Sequence, residues 1–240
     1  MKKPLMKIII TDLTRFSKKP DIVCIAGINP ESGECVRPMP YMKTEISKEL
    51  NILPGAVLSG NFTSPPKIDP PHGEDRFHDN LTFIGPCTSE QFKEILSTSE
   101  SPSVESGFGV KLSAGQKYIP LNNIPPRSII TVSVCSRNTC IVQDQYKADT
   151  IKLMFTDKLE KEFRYLPVTD LGFYGYVLKN CKDAADFSRL NSFLRNQNEI
   201  FLRLGLSRPY RAPDGREGFW IQVNGIYTFP TYLPETRSHT

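Results

Sequence analysis

The sequence predicts a mainly β chain with a few helices, arranged as two tandem small β-barrels with one long amphipathic helix in the second half. Three observations carry this. Twenty prolines and fifteen glycines cut the 240 residues into short pieces. Most of those pieces are β-branched or alternate apolar with polar residues, as strands do. The longest stretch with helical spacing of apolar side chains falls at residues 183–204.

Taken in order, residues 7–11 and 21–28 are β-branched runs, and Asn29-Pro30-Glu31-Ser32-Gly33 turns the chain back into 34–37 as a hairpin. Residues 44–50 suit a short helix, and Pro54-Gly55 opens a strand at 56–62. A proline-rich loop, 65–78, leads to a strand at 80–85. Thr88-Ser89-Glu90-Gln91 has the spacing of a capping box, with Phe92, Ile95 and Leu96 on one face of the helix behind it. Residues 97–107 read as a mobile Ser/Glu-rich loop and 108–118 as strand-like. The polar, proline-rich segment 121–127 separates the two halves, which divide as 1–118 and 119–240. Beyond it come hairpins from 128–135 with 139–142 and from 151–155 with 160–165. Asp183 caps the long helix, with Phe187, Leu190, Leu194, Phe201 and Leu204 on one stripe and Gly205 as its stop. Asp214-Gly215 is a tight turn, and 219–227 is a strand. Each half thus offers four or five short strands and a helix, which for ~110 residues is the plan of an OB-fold barrel.

The totals exclude several classes. With 39% hydrophobic and 23% charged residues the chain has material for a core, and no apolar run approaches the ~18 residues of a membrane span. Lys2 and Lys3 precede an apolar patch that imitates a secretion signal, but Thr11 and Asp12 break it, so a cytoplasmic setting is expected. A formal charge of +4 permits a polyanionic partner without the bias of a non-specific DNA packer. Six scattered cysteines form no CxxC pair, which argues for free thiols and against a zinc knuckle.

The segment 201–230 holds the only tryptophan and the densest mixture of arginines and tyrosines. Arg203, Arg208, Arg211 and Arg216 outnumber Asp214 and Glu217, and Tyr210 sits among them. Guanidinium groups beside flat rings grip phosphates while stacking bases. Arg203 also falls on a helical face with Arg195 and Glu199, the spacing of ordinary helix salt pairing. Period-two spacing puts Phe219, Ile221 and Val223 on one face of the last strand and Trp220, Gln222 and Asn224 on the other, a mixed face suited to a base. In the first half, Arg15 and Arg37 are expected at the barrel mouth, either facing phosphates or paired with Asp12 and Glu34. His72, Glu74, Asp75, His78 and Asp79 form the most chemically loaded cluster. His72 and His78 lack the i, i+4 spacing of a helical zinc site, and the remaining histidine, His239, is in the tail. Gly172-Phe-Tyr-Gly175 lacks the rest of any phosphate-cradling glycine motif.

The pieces ITDLTRF at 10–16, DIVCIAGI at 21–28, GECVRPMP at 33–40, PPHGED at 70–75, RLGLSRPY at 203–210 and WIQVNGIYTFPTYL at 220–233 make the chain resemble the dual OB domain-containing proteins. The resemblance implies two OB barrels and a nucleic-acid-binding role, in bacterial contexts of defence or nucleic-acid processing. It brings no catalytic residues and no cofactor.

The expected function is therefore non-enzymatic binding of single-stranded or structured DNA or RNA through Arg15, Arg37, Arg203, Arg208, Tyr210, Arg211 and Trp220. Two alternatives stand beside it: an interaction module for a protein partner such as a nuclease or helicase, and a metal-dependent enzyme using His72, Glu74, Asp75 and His78. The choice between DNA and RNA, the strandedness and the oligomeric state are not encoded in any motif.

Overall fold

In the computed structural model, which describes residues 5–147 and 150–238, alternating apolar residues form short strands that curl into two barrels. Residues 1–4, at the head of the secretion-like patch, and His239 lie outside the described residues.

The first barrel uses β1 (Met6–Arg15), β2 (Ile22–Ile28), β3 (Cys35–Met39), β5 (Ala56–Thr63) and β6 (Asp75–Pro86). A two-residue strand, β4 (Met42–Lys43), joins the edge of β2 and leads into helix α1 (Thr44–Glu49). β1 pairs antiparallel with β2 and β5, β5 with β6, and β2 with β3, while β3 and β6 close the ring in parallel. Five strands in Greek-key order, with a helix between the third and fourth, are the OB plan.

The second half repeats that order without repeating the sequence. After helices α2 (Ser89–Thr98) and α3 (Val104–Phe108) and strand β7 (Tyr118–Pro120) come β8 (Ile129–Val134), β9 (Cys140–Gln143), β10 (Ile151–Thr156) and β11 (Glu162–Pro167). Helices α4 (Leu171–Asn180) and α5 (Ala184–Arg195) precede β12 (Glu199–Leu206), β13 (Tyr210–Arg211) and β14 (Glu217–Phe229). β8 pairs with β12, β12 with β14, and β10 with β11. Two single residue pairs complete the ring: Val134 with Asp157, antiparallel, and Val168 with Val223, parallel. The ring β8, β10, β11, β14, β12 therefore matches β1, β2, β3, β6, β5, and α4 and α5 stand where α1 stands. Val104, Phe108, Val110, Leu112 and Ile119 also pack into this second core.

The barrels touch back to back through strands buried on both faces. In β1, Ile8 and Ile10 enter the first core, and a bulge between Ile10 and Asp12 shifts the phase so that Leu13 follows them. Along β12, Ile200, Leu202, Leu204 and Leu206 fill the second core, leaving Phe201 and Arg203 on the opposite face. Phe201 joins Ile9, Ile28, Tyr227 and the α2 side chains Phe92, Ile95 and Leu96 in a separate apolar layer between barrels.

The expected helix over 183–204 is corrected here. It ends at Arg195, and Glu199–Leu206 is a strand. Leu204 satisfies both the helical stripe and the alternation Ile200-Leu202-Leu204-Leu206, and pairing with β8 and β14 on its two sides decides for the strand. Gly205 accordingly stops no helix. Asp183 does cap α5, accepting from the Asp186 amide at 2.9 Å. The Thr88–Gln91 box caps α2 in both directions. Residues 104–107, read as part of a loop, and Phe108, read as the start of a strand-like stretch, form α3, the strand β7 begins only at Tyr118, and Gly172 and Gly175 lie inside α4.

Candidate nucleic-acid interface

The first four residues of β14 run between two short partners, with β7 on one side and β13 on the other. Trp220 lies opposite Tyr118 across the ladder, so the two side chains share a face. Their rings stack with centroids 5.0 Å apart and planes at 25°. The Arg216 guanidinium lies over both, 5.2 Å from the Trp220 ring and 5.7 Å from Tyr118. Gly218 permits this close pairing, because a methyl group there would collide with the Ile119 carbonyl oxygen. The indole is fixed at its edge, where Nε1 donates to the Tyr210 carbonyl oxygen at 3.0 Å. Tyr210 itself is 51% exposed, and Arg211 beside it is exposed.

The strip continues across the barrel. Lys117, one residue before Tyr118, places its ammonium 5.3 Å from the ring centre of the exposed Tyr165 on β11. Burial, then the charges of Lys152 and Arg216, holds Lys117 below the usual lysine range. The cations thus sit close enough to disfavour one another, and a phosphate placed there would relieve them. Two are partly balanced: Arg216 pairs with Asp214, and Lys152 pairs with Asp144 at 3.4 Å. Tyr165 on the third ring strand and residues 207–216 between the fourth and fifth strands occupy the face and loop with which OB barrels take oligonucleotides.

Of the residues the sequence singled out, Trp220 and Tyr210, which lies opposite Gly218, share this face, while the exposed Arg211 lies opposite Glu217 and so starts from the other face of the ladder beside it. The others go elsewhere. Arg203 is 1% exposed; its Nε donates to Asp12 at 2.8 Å and its Nη1 to Thr131 at 2.8 Å. Arg37 is buried, with Nε donating to Asp75 at 2.6 Å. Arg208, although in the same loop as Tyr210, turns to the first barrel and reaches Asp75 at 2.6 Å, Asp69 at 3.5 Å and the Tyr41 hydroxyl at 3.4 Å. Arg15 stacks on Tyr174, 3.8 Å from its ring centre. Neither Arg15 nor Arg37 takes the expected neighbour, since Asp12 holds Arg203 and Glu34 holds Arg76. Four of the seven chosen residues therefore knit the barrels and their loops together. Tyr118, Arg216, Lys117 and Tyr165 complete the strip; Arg216 is four residues from Trp220, and the others are brought in over long sequence separations, Tyr118 by its pairing with Trp220 and Lys117 beside Tyr165.

The residues weighed for a metal have structural partners or none. Glu74 accepts from the Ser128 amide and hydroxyl and from the Ile129 amide, at 2.7, 2.9 and 3.0 Å. Burial pushes Asp75 up, but Arg37 and Arg208 outweigh it and hold the carboxyl below its usual range. His72 is 1% exposed and lies edge-on to Phe219, and neither ring nitrogen has a hydrogen-bond partner among the described residues. Burial, then Arg37 and Arg208, pushes its pKa down to about 3, so the imidazole is neutral at physiological pH. His78 stands on β6, and Asp79 next to it is exposed. Among the described residues no three His, Cys, Asp or Glu side chains are grouped to hold a metal ion. No described helix is long and apolar enough to cross a membrane.

No family model and no curated protein matches the chain. Among solved structures, the Ifi202 HINa domain, crystallised in complex with 20-bp dsDNA, is similar at 11% identity and a TM-score of 0.35, over 92% of this chain and 96% of that one. At that level of overlap, the assignment of the fold rests on the strand pairings themselves.

Proposed function

We propose that this chain binds single-stranded nucleic acid, without catalysing a reaction on it, along the strip of Tyr118, Trp220, Tyr165, Tyr210, Arg216 and Lys117, with the exposed Arg211 at its edge. The observation that carries the reading is the Tyr118–Trp220 stack under Arg216, on the face of an OB barrel. An aromatic platform can accept only a base that has left its own stack, which favours a single strand over a duplex. Lys117, Arg211 and the partly balanced Arg216 supply the phosphate contacts. The resemblance to dual OB domain-containing proteins points the same way and suggests a bacterial setting in defence or nucleic-acid processing.

Fluorescence anisotropy with labelled single- and double-stranded oligonucleotides at two salt concentrations tests this. Two or three phosphate contacts at roughly 0.7 each predict a slope of log affinity against log salt near −2 for single strands. Tighter binding to duplex, or affinity indifferent to salt, refutes the proposal.

A further inference from the structure

A second concave site lies at the other end of β14. Trp220 and Phe229 are nine residues apart on that strand, a separation of up to roughly 30 Å. There the start of α2 and the end of β14 enclose a cleft of about 230 Å³ between the barrels. Phe83, Cys87, Ser89, Phe229, Tyr232 and Arg237 line it. The Arg237 guanidinium sits among rings, 4.6 Å from the centre of Tyr227, 4.7 Å from Phe92 and 5.5 Å from Tyr232. Its Nη1 donates to the Pro54 carbonyl oxygen at 3.3 Å. No carboxylate lies within ion-pair distance of it among the described residues, although its charge reaches the buried Asp170 and lowers that carboxyl's pKa against the effect of burial, and Pro54 takes only one of its five N–H donors.

A half-buried guanidinium fixed by three rings is oriented in advance for an oxyanion, and a phosphate suits its fork of parallel donors. The Ser89 hydroxyl is a second donor on the same lining, and Phe83, Phe229 and Tyr232 offer flat apolar surface. The volume falls below that of a drug-sized pocket, which limits the occupant to a molecule no larger than a mononucleotide. We propose that this cleft binds a phosphomonoester carried on a flat ring, the group shared by a free nucleoside monophosphate and the phosphorylated end of a nucleic-acid strand.

Calorimetric titration of the full chain with adenosine 5′-monophosphate, adenosine and inorganic phosphate tests the site independently of the aromatic strip. The monophosphate binds at least about tenfold more tightly than either fragment. Arg237→Gln weakens it about tenfold or more, and Trp220→Ala leaves it unchanged. Arg237 also packs on the rings around it, so Ser89→Asp serves as the second variant: the exposed first turn of α2 tolerates a carboxylate, which repels the phosphate. Oligonucleotides with and without a terminal phosphate, compared in the Trp220→Ala background, separate the two sources; a preference for the phosphorylated strand assigns a strand end, and its absence assigns the free nucleotide. The inference is overturned if monophosphate and adenosine bind alike, if neither binds, or if Arg237→Gln and Ser89→Asp both leave the monophosphate affinity intact.

Discussion

Replacing Arg203 with methionine removes the Nε bond to Asp12, the Nη1 bond to Thr131 and an Nη2 contact of 3.3 Å to the Cys35 sulfur. What remains is worse than the loss itself. Asp12 is 1% exposed, and among the described residues its one other side-chain donor is the Thr11 hydroxyl at 2.8 Å. One of its carboxylate oxygens already lacks a partner among the described residues. Stranding such a charge between two barrels costs about 3–5 kcal/mol. For a chain of this size each kcal/mol lowers the melting temperature by about 2–4 °C, so Arg203→Met should melt about 6–20 °C below the parent. Asp12→Leu combined with Arg203→Met should recover much of that loss, because burying neither charge is cheaper than burying one. Circular dichroism melts of the three variants measure the effect, and anisotropy well below the transition measures binding. A single variant within about 2 °C of the parent, or a double variant no more stable than the single, refutes the reasoning. A fall in oligonucleotide affinity while the protein is folded would return Arg203 to the binding surface.

The other predictions follow from the same contacts. Arg208→Ala lowers stability and leaves the salt slope of binding unchanged, since its charge is spent on Asp75 and Asp69; a lowered slope in a salt series contradicts this. Arg211→Ala lowers that slope by roughly 0.7 and weakens all sequences alike, as a phosphate contact should. Asp75 has its folded pKa held down, so its stabilising contribution is present above about pH 4 and is lost as pH falls through the lower folded value. Denaturant melts of Asp75→Asn from pH 7 to pH 3 should lack that acid-linked loss, starting from lower stability at pH 7. His72→Leu, which removes a buried ring with two unpartnered nitrogens, should change stability by no more than about 1 kcal/mol; a large loss by urea titration would point to a bond at His72 that the structure lacks.

Much of the architecture was legible along the chain, because strands announce themselves through alternation that survives without partners. Phe219, Ile221 and Val223 are buried and Trp220, Gln222 and Asn224 are half-exposed, as period two requires. Residues 199–206 were misread because Phe201 and Leu204 continue the helical stripe begun behind Asp183, although the strand alternation of Ile200 to Leu206 was present in the same residues. The roles of the arginines were not legible, for a different reason. Arg203 meets Asp12 across 191 positions and Arg208 meets Asp75 across 133, so local composition presents each as a free cation. Tyr118 was equally hidden, since only the β7–β14 ladder brings it under Trp220. Sequence located the loop that carries the strip, and tertiary pairing chose which of its charges face outward.

Trp220 is the only tryptophan in the chain, so intrinsic fluorescence reports on the strip without a label. Titration with oligothymidylate should quench that emission in a saturable, salt-sensitive curve, and Tyr118→Ala should move the curve by about 5- to 150-fold, the worth of one stacked base. An emission unchanged at concentrations where anisotropy shows the oligonucleotide bound would place the strand elsewhere on the protein and contradict the proposed interface.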